Sequence, residues 1–267
     1  VVEKEGIKYI TFGIFTGTGL VKHAFTTRAG GVSAGPFRSL NMALHVGDDP
    51  VAVVENRKMV CSALGAGLED LVAGQQVHGT TVLAVSAAHR GRGSLSREDA
   101  IPGADGLITK ETGLLLASYY ADCVPVMLLD PVGRAIGLAH AGWKGTVGRI
   151  AGKAVQSMVY NYGTNPRDCL AVVGPSIGPC CYEVDAPVVE MVKESFDRWP
   201  EMVKQTGPGR WRLNLWLANR IALAEAGVRV EHIAEPGLCT NCNRELFFSY
   251  RGQSGACGRM ASLMMLK

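Results

Sequence analysis

Two apolar runs on either side of Asp130-Pro131-Val132-Gly133 constrain this chain more than any other feature. They show almost no polar alternation, which marks strands covered on both faces, and the Pro and Gly between them are turn formers. The pattern predicts a β-hairpin inside a layered fold. Pairing Asp130 with Gly133 makes opposed residue numbers sum to 263 and sets Cys123 directly opposite His140, with Cβ atoms roughly 5 Å apart. A slip of one residue would send the two side chains to opposite faces, so the meeting of thiol and imidazole depends on the register.

The flanking sequence supplies the rest of an α+β fold. Val21 to Phe25, Leu71 to Val77, Thr81 to Val85, Cys169 to Val173, Glu231 to Ala234, Leu246 to Tyr250 and Met260 to Leu266 read as strands. Asp49 before Pro50 starts a helix that runs to about Leu64 with Val53, Val60 and Leu64 on one stripe. Arg57 lies in that stripe and reads as a helix-edge arginine with a buried stem and an exposed head. Further helices are predicted over Thr146 to Tyr162, ended by Gly163, from Asp185, and from Asn214 to Gly227. Residues 26–50 and 86–100 lack a sustained period and read as long loops. No repeat, linker or low-complexity tract divides the chain, so one domain over residues 1–267 is expected.

Composition narrows the function classes. Of 267 residues, 47% are apolar and 19% charged, which fits a globular chain with buried strands. A net charge of +3 with scattered Lys and Arg gives no electrostatic footprint for nucleic acid. Asp122 and Pro125 interrupt the longest apolar run, which argues against a membrane span. The N-terminal VVEKEGIKYI lacks the order of a signal peptide, and eight cysteines without secretory context suggest reduced thiols. A cytoplasmic protein is expected, and the charge leaves an anionic small substrate open.

His78, at a strand end beside Gly79, joins Cys123 and His140 as the leading metal set. Two imidazoles and a thiolate suit zinc with a fourth position left open, the pattern of catalytic rather than structural sites. The same trio also fits a single copper with Met127 as an axial ligand, but six histidines without a His-x-His pair do not make a multicopper centre. Cys123 and His140 could instead be a nucleophile and its base, although Asp122 is badly placed to orient the imidazole. Gly30, Gly31 and Gly35 with Arg28 and Arg38 offer a weak anion cradle. Cys239-Thr-Asn-Cys242 has zinc-knuckle spacing; Cys180 and Cys181 could complete it, but adjacent residues on an extended chain point opposite ways, and a structural or incidental role is expected.

The stretches TTRAGGVS, SLNMALHVGDD, QVHG, ADGLIT, ADCVPV, HAGWKG, GPSIGPCCYEV, LWLANR, FFSYR and GRMAS, in that order, resemble the YfiH-like laccase-domain family. Its members are described as polyphenol oxidases and as purine nucleoside phosphorylases with adenosine deaminase activity. The resemblance implies an αββα sandwich of mixed β-sheets and a zinc held by His78, Cys123 and His140. It also implies purine nucleosides and phosphate as small-molecule partners, and substrate contacts from Arg28, Asn41, His45 and Arg259. The segment RGQSGACGRM departs from the pattern, because similar proteins carry a second Arg after FFSYR; Arg251 is the sole basic residue between Tyr250 and Gly258. Copper-dependent phenol oxidation and a non-catalytic, metal-stabilised binding protein remain the alternatives.

Overall fold

At the centre of the computed structural model, which describes residues 1–267, the strand Met260–Leu266 pairs antiparallel with Val21–Thr26 on one side and Leu115–Tyr120 on the other. Ile7–Ile10 and Val2–Lys4 extend this six-stranded sheet beyond Val21–Thr26, and Leu71–Ala73 adds a parallel edge strand to Leu115–Tyr120. A second six-stranded sheet runs Ile233–Ala234, Leu170–Val173, Val124–Asp130, Ala135–Ala141, Gly106–Thr109, Val82–Ala84. Both sheets are mixed.

The two sheets lie face to face, and alternation along each strand assigns side chains to layers. Met260, Met264 and Leu266 enter the core between the sheets with Met127, Leu129, Ile136 and Leu138 of the second sheet. Ala261, Leu263 and Met265 point the other way, under the helix Pro50–Ala63. Val124, Val126 and Leu128 pack beneath the helices Ile150–Tyr162, Ala186–Ser195 and Leu215–Glu225. The layers are therefore αββα, as anticipated, and the hairpin strands are buried along their whole length because cores lie on both sides.

The hairpin register differs from the sequence expectation. Asp130 pairs with Ala135 rather than Gly133, so opposed residues sum to 265, and His140 faces Pro125. The turn is longer because Asp130 Oδ1 accepts hydrogen bonds from the backbone of Val132 and Gly133, and Arg134 takes a left-handed conformation at φ 50°. A shift of two residues preserves the face. Cys123, just before its strand, and His140 are thus diagonal neighbours on the face between the sheets rather than a directly opposed pair.

Other boundaries moved for identifiable reasons. The Asp49 side chain caps the helix at Pro50 by accepting from Val51 N, as the sequence suggested. Arg57 is not a helix-edge residue: it is 2% exposed, donates to the carbonyls of Met42, Gly93 and Ser94, and lies 4.6 Å from the Tyr119 ring. It therefore binds two loops to the helix. The helix expected from Thr146 to Tyr162 is two pieces, Trp143–Val147 and Ile150–Tyr162, broken at left-handed Arg149, whose guanidinium stacks 3.8 Å from Phe196 and bonds Ser195 O. Leu71 to Val77 is a strand only to Ala73. Leu246 to Tyr250 forms turns, not a strand; Phe247 and Phe248 still reach the core between the sheets. A small antiparallel sheet of Glu183–Val184, Arg210–Leu213 and Val203–Gly207 had no expectation behind it.

Candidate metal centre and substrate pocket

The strands Gly106–Thr109 and Ala135–Ala141 run antiparallel, with Gly106 opposite Ala139, so Asp105 emerges beside His140 at one rim of the second sheet. Its side chain is enclosed, and its carboxylate accepts His140 Nδ1 at 2.9 Å. The ionised carboxylate only accepts, so Nδ1 keeps a proton and Nε2 is the nitrogen that a metal would take in place of its own proton. The turn that carries His78 bonds to the same carboxylate. His78 is left-handed, with φ 60°, and Asp105 accepts from the backbone N–H groups of Val77 (3.1 Å), His78 (3.0 Å) and Gly79 (2.7 Å). A ring of N–H groups around an anion is a nest. Burial alone would raise the Asp105 pKa, but the bonds from His140 and this nest outweigh it and hold it below the usual carboxylate range.

Cys123 arrives from the other side of the hairpin, after Asp122 at φ 80°. Asp122 Oδ1 accepts Thr240 Oγ1 at 2.7 Å and Oδ2 accepts Arg251 N at 2.6 Å, which fixes this unusual backbone and ties it to the C-terminal turns. The ligand atoms of His78, Cys123 and His140 lie within 4.8 Å of one another, and the two imidazoles meet edge to face at 4.8 Å between centroids. Gly142 passes so close that a Cβ there would sit 3.1 Å from both Cys123 Sγ and His78 Cδ2. Burial pushes the Cys123 thiol up, but the charge and hydrogen bonds of His140 and His78 prevail and bring it down to about 6. His140 is lowered by burial, then raised to about 9 by Cys123 and Asp105. The trio is thus prepared to present a thiolate, the form that binds metal.

The trio opens onto a pocket of about 470 Å³, within the roughly 300–1,000 Å³ usual for small-molecule sites. Tyr119, Trp143, Ile177, Tyr182 and Tyr250 give it apolar and aromatic walls, and His45, Arg251 and Arg259 supply the basic groups. Burial, then the charges of Arg259, Arg97, Arg57 and His140, lower His45 to about 4, so it is neutral at pH 7. Arg259 makes its protein hydrogen bonds through Nη1 to Cys257 and Gly258, which leaves Nε and Nη2 without a protein partner.

Of the residues singled out from the sequence, His78, Cys123, His140, His45 and Arg259 converge on this pocket. Arg28 and Asn41 do not. Arg28 donates to the carbonyls of Arg38 and Arg244, stacks 4.7 Å from Phe248 and faces a separate shallow surface. Asn41 is fully buried; it accepts from Arg259 N and donates to Asp48, so it holds the backbone behind Arg259. The anion cradle at Gly30 and Gly31 is closed, because both N–H groups donate to Ser39 Oγ. Met127 is enclosed between the sheets opposite Leu138 and Val172, not among the ligands. Asp105 and Tyr182 were not singled out, and Arg251 was named only as the one basic residue left after FFSY; a lone Asp opening the apolar run ADGLIT was the available signal for the first.

Residues 22–267 match the family described as multi-copper polyphenol oxidoreductase laccase. The chain belongs to that family. Within it, the chain is 45% identical over 240 residues to purine nucleoside phosphorylase YlmD of Geobacillus stearothermophilus, covering 90% of this chain and 88% of that protein. It is 36% identical over 230 residues to adenosine deaminase RL5 from an unknown prokaryotic organism, covering 85% and 87%. The solved structure of YlmD from G. stearothermophilus superimposes with a TM-score of 0.95 at 41% identity, covering 100% of this chain and 98% of that one. The expected YfiH-like resemblance holds as well: the solved structure of Bacillus licheniformis hypothetical protein YfiH superimposes with a TM-score of 0.91 at 41% identity, covering 92% of this chain and 93% of that one.

Proposed function

We propose that this laccase-family chain is a zinc-dependent purine nucleoside enzyme of the cytoplasm, with residues 1–267 acting as one unit. It would phosphorolyse adenosine, inosine and guanosine and deaminate adenosine. The observation that carries this reading is the His78–Cys123–His140 cluster, which opens onto an aromatic pocket with two arginines. Relatives named for phosphorolysis and for adenosine deamination support it.

The donor set fits zinc: three borderline or soft ligands, with His140 oriented by a carboxylate and Cys123 biased to thiolate. When bound, zinc supplies Lewis acidity and lowers the pKa of water to ~7, which suits attack at C6 of adenine with loss of ammonia. The chain's own groups do the rest. Tyr182, Trp143 and Tyr250 offer faces on which a purine stacks. Arg259 and Arg251, which line the pocket, would hold phosphate as it bonds to C1′ while the C1′–N9 bond breaks and the purine leaves with a proton. His45, being neutral, can accept a ribose or phosphate hydroxyl without repelling either arginine.

A second reading has one observation in its favour. Asp105, His140 and Cys123 form a carboxylate–imidazole–thiol line, the arrangement of a cysteine nucleophile with an oriented base. It leaves His78 without a task. Copper-dependent phenol oxidation finds less support, since Met127 is buried between the sheets and does not line the pocket. The test is His78→Ala and Cys123→Ala: each should lose one equivalent of zinc and deaminase activity while keeping the fold. A metal-free protein with full activity would establish the thiol nucleophile, and copper with strong phenol oxidation would establish the oxidase.

A further inference from the structure

Four more thiols converge outside the pocket. Cys180, Cys181, Cys239 and Cys242 present sulfur atoms that all lie within 4.8 Å of one another, although the two pairs are some sixty residues apart in sequence. Cys242 Sγ is 3.6 Å from Cys180 Sγ and 3.5 Å from Cys181 Sγ. None is disulfide-bonded, and these spacings far exceed the roughly 2.05 Å of a disulfide. They lie close to the edge of a tetrahedron of sulfurs about 2.3 Å from a central zinc, which is about 3.8 Å. The expectation that adjacent Cys180 and Cys181 point apart fails because they occupy a turn, not an extended strand.

The surroundings are built for this convergence. Gly178 N donates to Cys239 Sγ at 3.2 Å, a bond that stabilises a thiolate. A Cβ on Gly178 would come within 2.6 Å of the Trp216 ring and 3.2 Å of Cys180 Sγ, so only glycine lets the turn close. Arg212 donates to Cys180 O at 2.6 Å, which places a cation beside the cluster. Ser176 bridges to Cys239: its N–H donates to Leu238 O and its carbonyl accepts from Thr240 N. Neither connection contains a helix or long strand here, yet one carries Ile177 and Tyr182 and the other carries Tyr250 and Arg251 to the pocket.

We propose that Cys180, Cys181, Cys239 and Cys242 form a second, structural zinc site that clamps these two connections together as the outer wall of the pocket. All four positions would be filled by thiolates, with no open position for substrate, in contrast to the three-ligand centre. On loading, four thiols bind one divalent zinc as thiolates and release four protons to solvent, giving a complex of net charge −2 with no oxidation or reduction.

The test uses the full chain purified with zinc and reductant. Metal analysis should find two zinc ions per chain in the wild type, one in Cys242→Ser and one in Cys123→Ala. X-ray absorption on Cys123→Ala, where only the proposed site remains, should show four sulfur ligands at about 2.3 Å. Because this second variant leaves the thiol cluster intact, a folding failure of Cys242→Ser does not decide the matter. A Cys123→Ala protein without metal, or with a nitrogen and oxygen shell, would overturn the proposal. So would finding six free thiols or fewer, of the eight, in denatured wild-type protein prepared without oxygen, since that would identify a disulfide.

Discussion

Replacing Asp105 by Asn removes one charge and almost no volume, yet it should disable the three-ligand centre. The carboxylate serves four donors, His78 N and His140 Nδ1 on Oδ1 and Val77 N and Gly79 N on Oδ2. An amide has one accepting oxygen, so two donors must lose their partner whichever way it is turned. If the oxygen faces Val77 and Gly79, the NH₂ group meets His140 Nδ1 and forces the tautomer that protonates Nε2, which removes a metal lone pair. If it faces His140, the turn carrying His78 is repelled instead. Loss of such an outer partner costs about 10–100-fold in metal affinity, or about 1.4–2.7 kcal/mol. Two broken charge-assisted bonds cost in addition about 3–6 kcal/mol of folding stability at most. Zinc competition with a chromophoric chelator reads the affinity, and circular dichroism reads the fold. A folded Asp105→Asn protein with wild-type zinc affinity would refute the argument that Asp105 sets the His140 tautomer and the His78 turn.

Other perturbations follow from the same structure. Arg259→Ala should raise the KM for phosphate about tenfold or more while changing deamination little, because a guanidinium–phosphate contact belongs to one reaction only; steady-state kinetics with each activity checks this. Arg57→Met should lower stability by about 3 kcal/mol by leaving the carbonyls of Met42, Gly93 and Ser94 unpaired in the interior, visible as a lower midpoint in urea. His23, stacked on Phe12 and lowered by burial to about 4, stays neutral in the fold but protonates near its ordinary value when unfolded. Its contribution is thus complete above about pH 6.5 and is lost as pH falls toward 4, by about 2 kcal/mol at pH 5. His23→Gln should flatten that part of the stability profile; an unchanged slope would assign the acid sensitivity elsewhere.

The parts of the molecule readable in the sequence are those fixed by local pattern. Asp49-Pro50 and Asn214 announce helices because capping chemistry is contained within four residues. The buried hairpin is legible because uninterrupted apolar runs require cover on both faces. His78, Cys123 and His140 could be grouped because they stand at strand ends beside Gly, Pro or Asp. Long-range contacts were not readable in this way. The partners of Arg57 are loops as far as 37 residues away, so its stripe position suggested a helix edge. Arg28 carries a motif position but spends its guanidinium on carbonyls, whereas Arg251 reaches the pocket through turns that periodicity reads as a strand. The hairpin register erred by two because the Asp130 side chain, not the Pro-Val pair, closes the turn; the period of two saved the conclusion about the face.

The most direct measurement is chromatography of the products formed from adenosine and from inosine, with and without phosphate. Inosine, which lacks the 6-amino group, should remain intact without phosphate and give hypoxanthine and ribose 1-phosphate with it. Adenosine should give inosine in both conditions and adenine only when phosphate is present. Nucleosides left unchanged in every condition by a zinc-loaded, folded protein would contradict the account.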